Sequence, residues 1–344
     1  MKKLLTDMNI LELETFVTEL GEAKFRAKQI LKDIGDGVAV TNMTALPKAF
    51  RQKLDEIAYS NGVEIVEKFV SRDGTEKYLY KLIDGNVIEG VFMRYKYGNT
   101  LCVSTQVGCR MGCKFCASGI GGLVRNLTAG EIMSQIIEVN KLHGGTLDDR
   151  QVTNIVLMGS GEPFDNYDNV LRFLELCRDH YKISMRNVSL STSGLCDGII
   201  KLADSSLHPT LTISLHATTD EARTSIMPVN KAYNLSKLLQ SARYYFDKTG
   251  RRVVFEYAMM DGVNDTDDDA KRLKNLLKGF PTHVNLIPLN YVKEKKIMPT
   301  TKDRVTAFLD KLTTLGVSAT KRRTMGADIE GACGQLRRRY LEDN

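Results

Sequence analysis

The chain has 344 residues, 42% of them hydrophobic, a formal net charge of +6 and seven cysteines. That is enough apolar material for one large domain with a smaller appendage. The chain has no apolar run of membrane-spanning length, no charged-then-apolar secretory start and an odd number of cysteines, which excludes a membrane span and a secreted disulfide framework, so a cytoplasmic protein is expected.

Residues 1–60 read as a small helical domain. Leu11, Leu13, Phe16, Val17 and Leu20 recur at helical spacing, Phe25, Ile30 and Leu31 continue a second helix, and Pro47 opens a third through Phe50 and Leu54. Lys24, Arg26, Lys28 and Lys32 are expected on its polar face. Residues 61–98 alternate, as in Lys77-Tyr78-Leu79-Tyr80-Lys81, and predict a β-hairpin extension. From 99 to 320, strands and helices take turns. Strands are predicted at 101–106, 153–157, 187–190, 211–215, 253–257 and 284–287, with 317–321 a candidate for one more. Helices are predicted to start near Ala129, Val170, Asp197, Leu235, Asp267 and Lys302. Six strand–helix units imply an α/β fold with a parallel sheet. They are fewer than the eight of a closed barrel. An open, partial (β/α)6 barrel is therefore expected, and its open side would admit a large substrate such as RNA. The last segment, 321–344, carries Lys321, Arg322, Arg323, Arg337, Arg338 and Arg339 against Asp328 and Glu330. Such a run fits either a phosphate-contact surface or a solvated face.

Cys109, Cys113 and Cys116 are spaced C-x3-C-x2-C. Three thiolates that close together can grip three irons of a cubane cluster and leave the fourth iron open to a ligand. A structural zinc site would need a fourth ligand, usually from a second C-x2-C or H-x3-H pair. The sequence holds no such pair; its other cysteines are Cys102, Cys177, Cys196 and Cys333. Cys177 and Cys196 are expected to serve packing. Polar or glycine-rich motifs follow most of the predicted strands, where barrels of this kind collect their chemistry. Each alone is weak, because a Gly-Ser-Gly is usually a turn and a single histidine is usually packed in a core.

The triplet, with Phe115 just before its third cysteine, resembles the cluster loop of the radical S-adenosylmethionine (SAM) enzymes. Further motifs narrow the likeness. They are Val87-Ile88-Glu89, Arg125-Asn126-Leu127-Thr128, Gly161-Glu162-Pro163, Ser191-Thr192-Ser193-Gly194, Ser214-Leu215-His216-Ala217, Pro288-Leu289-Asn290 and Ala332-Cys333-Gly334-Gln335-Leu336. With them the whole chain resembles the RlmN/Cfr family of radical SAM adenosine methyltransferases, most closely its RlmN branch.

The resemblance implies a radical SAM partial barrel that methylates C2 of an adenosine in the peptidyl transferase region of 23S rRNA, and adenosine in tRNA. It implies a [4Fe-4S] cluster on Cys109, Cys113 and Cys116. SAM, two molecules per turnover, would be held by Gly161, Glu162, Ser191, Ser214, Leu215, His216 and Asn290. Cys333 would carry the methyl group, and Cys102 would close a transient disulfide with it to release the RNA from a covalent adduct. The ring proton would go to Cys102 or to Glu89. Small neighbours, Ala332 and Gly334, would leave Cys333 room for SAM and a base. An electron donor such as flavodoxin or ferredoxin is implied, and a monomer suffices. Basic residues of the helical domain and of the carboxy-terminal segment would contact RNA. Two alternatives stand beside this reading: methylation at C8 of the same adenosine, as in the Cfr branch that confers antibiotic resistance, and an iron–sulfur or zinc protein that only binds RNA.

Overall fold

The computed structural model describes residues 2–290, 292 and 294–329. The amino-terminal part packs three helices, α1 (Ile10–Glu19), α2 (Arg26–Gly35) and α3 (Lys48–Ile57), beside a short parallel pair, β1 (Lys3–Leu4) with β2 (Ala58–Tyr59). Asn9 starts α1 through a capping box, accepting from the Glu12 amide while the Glu12 carboxylate accepts from its own. Leu13, Phe16, Val17, Ile30, Phe50 and Leu54 form a hydrophobic core separate from that of the barrel. Leu11 and Phe25, expected in this core, instead stand 67% and 57% exposed. Leu13, Phe16 and Val17 take the inward arc of α1 and Ala27, Ile30 and Ile34 that of α2, which leaves Leu11 on the outer side and Phe25 just ahead of α2.

The rest is organised by a single ten-stranded sheet. Strands β3 (Val63–Val70), β4 (Glu76–Leu82) and β5 (Val87–Tyr95) form an antiparallel meander. Strand β6 (Gly98–Cys102) pairs antiparallel with β5. The hairpin extension is therefore continuous with the barrel sheet. Beyond β6 the ladder is parallel: β9 (Asn154–Leu157), β10 (Val188–Thr192), β11 (Thr210–Ser214), β12 (Val253–Met259), β13 (Thr282–Pro288) and β14 (Ala319–Lys321), in that order. The open partial barrel expected from the sequence is present, and the 317–321 segment does add a strand. Helices α4 (Ala129–Leu142), α5 (Tyr167–Asp179), α6 (Cys196–Asp204), α8 (Leu235–Thr249), α9 (Asp267–Leu276) and α10 (Lys302–Thr314) lie between the strands, while α7 (Asp220–Ile226) is a short helix with no predicted counterpart.

The first barrel strand is shorter than the predicted 101–106. The chain leaves the ladder after Cys102, and the amides of Thr105 and Gln106 donate to the Ser160 carbonyl. A small antiparallel ribbon follows, β7 (Gln106–Gly108) with β8 (Leu123–Asn126), and the cysteine loop hangs between its arms. Gly108 turns into that loop at φ +78°, where a side chain would be strained.

The barrel strands sort their side chains by face. On β12, Val253, Phe255, Tyr257 and Met259 enter the core under the helices. Glu256 and Ala258 point the other way and line a cavity.

Candidate active site

The cavity lies at the carboxyl ends of the barrel strands, the usual place for chemistry in such folds. Its wall includes Cys102, Cys109, Cys113, Cys116, Gly161, Glu162, Ser191, Ser214, His216 and Asn290. Residues scattered over the sequence thus meet at one place. Leu215 does not line it: the side chain is fully buried in the core, and its backbone N–H joins β11 to β12 by donating to the Glu256 carbonyl at 3.0 Å. Nor does Glu89 line it. Glu89 lies on the same face of β5 as the lining residues Val91 and Met93, is 3% exposed, and pairs with buried Lys77 at 3.7 Å. Cys333 and Arg337–Arg339 lie outside the described residues.

The cysteine loop is clamped on two sides. The Lys114 amide donates to the Ile226 carbonyl at 2.9 Å, and Phe115 meets the His216 ring edge-on at 4.9 Å. Arg110 pairs with Asp165, which also accepts from the Gln106 side chain. The Gln106 side-chain Oε1 in turn accepts from the Glu162 backbone amide at 2.8 Å. The loop is thereby tied to the Gly161-Glu162-Pro163 turn.

Burial pushes the Cys109 thiol up to about 12, with the charges of Cys116, Glu162 and Asp165 adding to the effect. Cys113 is raised as well, by burial and by its two sister thiols, and Arg223 opposes this. Thiols in such surroundings ionise only against a cation, which is what an iron cluster supplies. Among the described residues no three His, Cys, Asp or Glu side chains converge tightly enough to hold a single metal ion. A cubane presents its iron corners separately and asks for no such convergence.

Glu162 is buried and already well used. Its carboxylate accepts from the Phe164 amide at 3.1 Å, the Thr192 hydroxyl at 2.7 Å and the Ser193 amide at 2.7 Å. A carboxylate accepts about four hydrogen bonds, so roughly one position remains for an ammonium. The two glycines of its loop serve the fold first. A Cβ on Gly159 would lie 2.7 Å from the Ser104 amide nitrogen, and one on Gly161, at φ +115°, would lie 2.6 Å from the Thr105 hydroxyl. They let the loop pack on residues 103–106 while both glycines also line the cavity.

Sequence reasoning passed over two side chains here. Glu256 is 6% exposed, and its Oε1 has no hydrogen-bond partner among the described residues. The hydroxyl of Ser118, also on the cavity wall, is likewise unpartnered among the described residues. Buried orphans of this kind are costly unless a ligand meets them. A carboxylate and a hydroxyl suit a ligand rich in donors and acceptors, as SAM is. The signal was one carboxylate inside the apolar run Val253-Val254-Phe255-Glu256-Tyr257-Ala258. The second is Arg223, fully buried under the site. It donates to the carbonyls of Ser193, Ser214, Leu215 and Tyr233 and to the Asn230 side chain.

The basic residues divide. Lys24, Arg26 and Lys32 of the helical domain are matched by Glu14, Glu22 and Asp36 at 3.0, 3.9 and 2.7 Å. Arg322 and Arg323 stand on the cavity wall itself.

A radical SAM superfamily model matches residues 103–277, and a model of the ribosomal RNA large subunit methyltransferase N-terminal domain matches residues 4–59. A probable dual-specificity RNA methyltransferase RlmN of Caldanaerobacter subterraneus subsp. tengcongensis is 50% identical, covering 98% of this chain and 99% of its own. One from Clostridium perfringens strain 13 is 51% identical, covering 99% and 98%. The crystal structure of a radical SAM methyltransferase from Sphaerobacter thermophilus superposes with a TM-score of 0.92 at 39% identity, over 97% of this chain and 98% of that one. The chain belongs to the RlmN family of radical SAM RNA methyltransferases. An RlmN-family enzyme uses SAM and a [4Fe-4S] cluster, and the cavity described above has the donors for both.

His216 gives this RlmN-family site a pH dependence. Its backbone is left-handed at φ +55°, and Nδ1 accepts from the Ala258 amide at 3.0 Å. Burial, assisted by the Arg223 charge, lowers its pKa to about 3. The folded protein refuses a proton that the unfolded chain accepts below about pH 6.5. Stability from this residue is therefore full above that pH and declines as the pH falls toward 3, by up to about 1.4 kcal/mol per unit. Glu162 and Glu256, raised by burial, act in the opposite sense. Comparing wild type with His216→Asn isolates the histidine, since asparagine tolerates the left-handed backbone and offers an acceptor to the Ala258 amide. The melting temperature of the variant is expected to fall less between pH 6.5 and 5; parallel curves would remove His216 as the cause.

Proposed function

We propose that the enzyme methylates C2 of an adenosine in the peptidyl transferase region of 23S rRNA, and adenosine in tRNA, with Cys333 as methyl carrier and Cys102 as the thiol that frees the product. The convergence of Cys102, the cysteine triplet and Glu162, Ser191, Ser214, His216 and Asn290 on one cavity wall carries this reading. When bound, the cluster and SAM supply the radical chemistry that an unreactive aromatic carbon requires. In this reading Cys109, Cys113 and Cys116 hold the cluster. Glu162 offers its remaining acceptor position to the SAM ammonium. Ser191, Ser214, His216 and Asn290 line the cofactor, while Gly161 and Leu215 hold their loops in place through the backbone. Two SAM molecules are used per turnover, a flavodoxin or ferredoxin supplies electrons, and the enzyme works as a monomer.

Cys102 and Glu89 sit on the cavity-facing side of paired strands. Cys102 is directly opposite Val91 in the β5–β6 register, and Glu89 is two residues from Val91 on the same face. Cys102 lines the cavity and Glu89 lies one strand row from the lining residue Val91, which supports their roles as resolving thiol and proton acceptor. Met325, the last described residue on the cavity wall, closely precedes Cys333 in sequence.

The test follows SAM with a fully deuterated methyl group, under anaerobic reducing conditions, with large-subunit rRNA. The expected product is 2-methyladenosine lacking one methyl deuterium, read by nucleoside mass spectrometry. The 8-methyl isomer with the same loss would move the enzyme to the Cfr branch. A methyl group retaining all its deuterium would contradict transfer through Cys333.

A further inference from the structure

The β5–β6 hairpin carries a feature that the reaction does not use. Tyr95 ends β5, Gly98 begins β6, and the two are register partners, so Lys96 and Tyr97 form a two-residue turn. The rings of Tyr95 and Tyr97 stack with centroids 5.0 Å apart and planes 9° from parallel. Tyr97 is 76% exposed, the most exposed large hydrophobic side chain among the described residues.

The tip is held in place. Gly98, at φ +132°, turns the chain where any side chain would strike Thr153 and Asn154. The Asn99 carbonyl accepts from the Thr153 amide at 3.0 Å. A stacked aromatic pair on a fixed turn is a preformed surface, and docking on it costs little ordering entropy.

The register ties this surface to the cavity. Val91, Met93 and Tyr95 alternate onto one face of β5, and the first two line the cavity wall. Tyr95 therefore continues that wall outward. Four residues of strand separate it from Val91, the partner of Cys102, about 13 Å at the usual rise. A single strand covers that distance in a few nucleotides. Cations flank the pair: Lys96 is exposed in the turn itself, and Arg322 and Arg323 are near enough for their charges to act on the Tyr95 phenol, against the dominant effect of burial. Both arginines also line the cavity.

Exposed aromatic rings beside cations form the usual platform for unstacked bases. A protein partner would be met by a broader apolar patch, whereas this one is a single ring pair among positive charges. On the reading that RNA is the substrate, we propose that the Tyr95–Tyr97 pair stacks a base of the RNA a few nucleotides from the target adenosine, while Lys96, Arg322 and Arg323 hold the phosphates between them. The pair would stabilise the strand in an opened conformation once the target has left its stack.

The experiment measures binding of a fluorescently labelled 23S rRNA fragment to the full-length holoenzyme across a salt series. Tyr97→Ala is expected to weaken binding about tenfold, within the range of a lost base–aromatic stack. Its melting temperature, its salt slope and its RNA-independent SAM cleavage should match wild type, because an exposed neutral ring is all that is removed. Tyr97→Trp should restore the affinity. Arg323→Gln should instead reduce the salt slope by about one, the mark of a lost phosphate contact. Equal affinity in Tyr97→Ala and wild type would overturn the platform and leave the enzyme's function untouched. A tryptophan variant as weak as the alanine variant would also overturn it. A wild-type enzyme that cleaves SAM but binds no rRNA fragment would overturn the RNA reading itself.

Discussion

With Cys102 replaced by alanine, the enzyme is expected to capture RNA and keep it. In the proposed reaction the Cys102 thiolate attacks the sulfur of Cys333. A sulfur–sulfur bond forms, the carbon–sulfur bond to the RNA breaks, and the electron pair left on carbon takes up a proton to complete the methyl group. Attack of this kind needs a thiolate with access to the target sulfur. Cys102 has the position for it: it ends β6, faces the cavity and is 6% exposed. Alanine keeps the strand and its pairing with Val91 and Val156, so folding should be unaffected. Turnover should drop from many cycles to at most one per enzyme, with RNA left covalently bound. A denaturing gel with labelled RNA reads this directly: a protein–RNA band should appear in Cys102→Ala and vanish in the double variant that also carries Cys333→Ala. Free methylated RNA released at the wild-type rate would show that another group does this work.

The barrel was legible because its grammar is local. Parallel strands with one face in the core and the other on a partly covered cavity read as short, mainly apolar runs, and several helices announce their starts. Thr128 with Glu131 and Thr266 with Asp269 form capping boxes just before α4 and α9. The cysteine triplet was legible for the same reason, since its three ligands lie within one loop. Features set by tertiary contact were not. Nothing in the sequence near residue 103 says that the strand must end there; the Ser160 carbonyl, far away in the chain, draws the amides of Thr105 and Gln106 off the ladder. The close packing of Gly159 and Gly161 on residues 103–106 was likewise out of reach of the sequence, because it joins segments far apart in the chain. The basic face of the helical domain looked open for RNA, yet three of its four cations find carboxylates nearby. Helix α7 was missed because seven polar-rich residues carry no apolar period.

Replacing Arg223 with methionine is expected to cost more stability than any change on the cavity wall. The side chain is fully buried, and its guanidinium faces oxygens from four backbone carbonyls and the Asn230 amide. Burial lowers its pKa to about 10, against the charges of Cys113, Cys196 and Asp220, which raise it. Its role is to collect carbonyls that strand ends leave over: Ser193 at 2.7 Å beyond β10, and Ser214 at 3.0 Å and Leu215 at 3.1 Å where β11 finishes. Methionine fills much of the volume but donates nothing. Each buried acceptor left bare costs about 1–3 kcal/mol, offset in part because a buried cation is no longer held away from water, so a net loss of roughly 3 kcal/mol follows. Lysine should not rescue it, since one compact ammonium cannot reach acceptors spread around a planar fork. The same bonds hold Ser193 and Ser214, both on the cavity wall, and Leu215, which precedes His216. SAM affinity, measured by equilibrium dialysis on protein that remains folded, should therefore fall along with the unfolding midpoint in denaturant. A methionine variant with an unchanged midpoint would mean that the strand ends hold their geometry without Arg223.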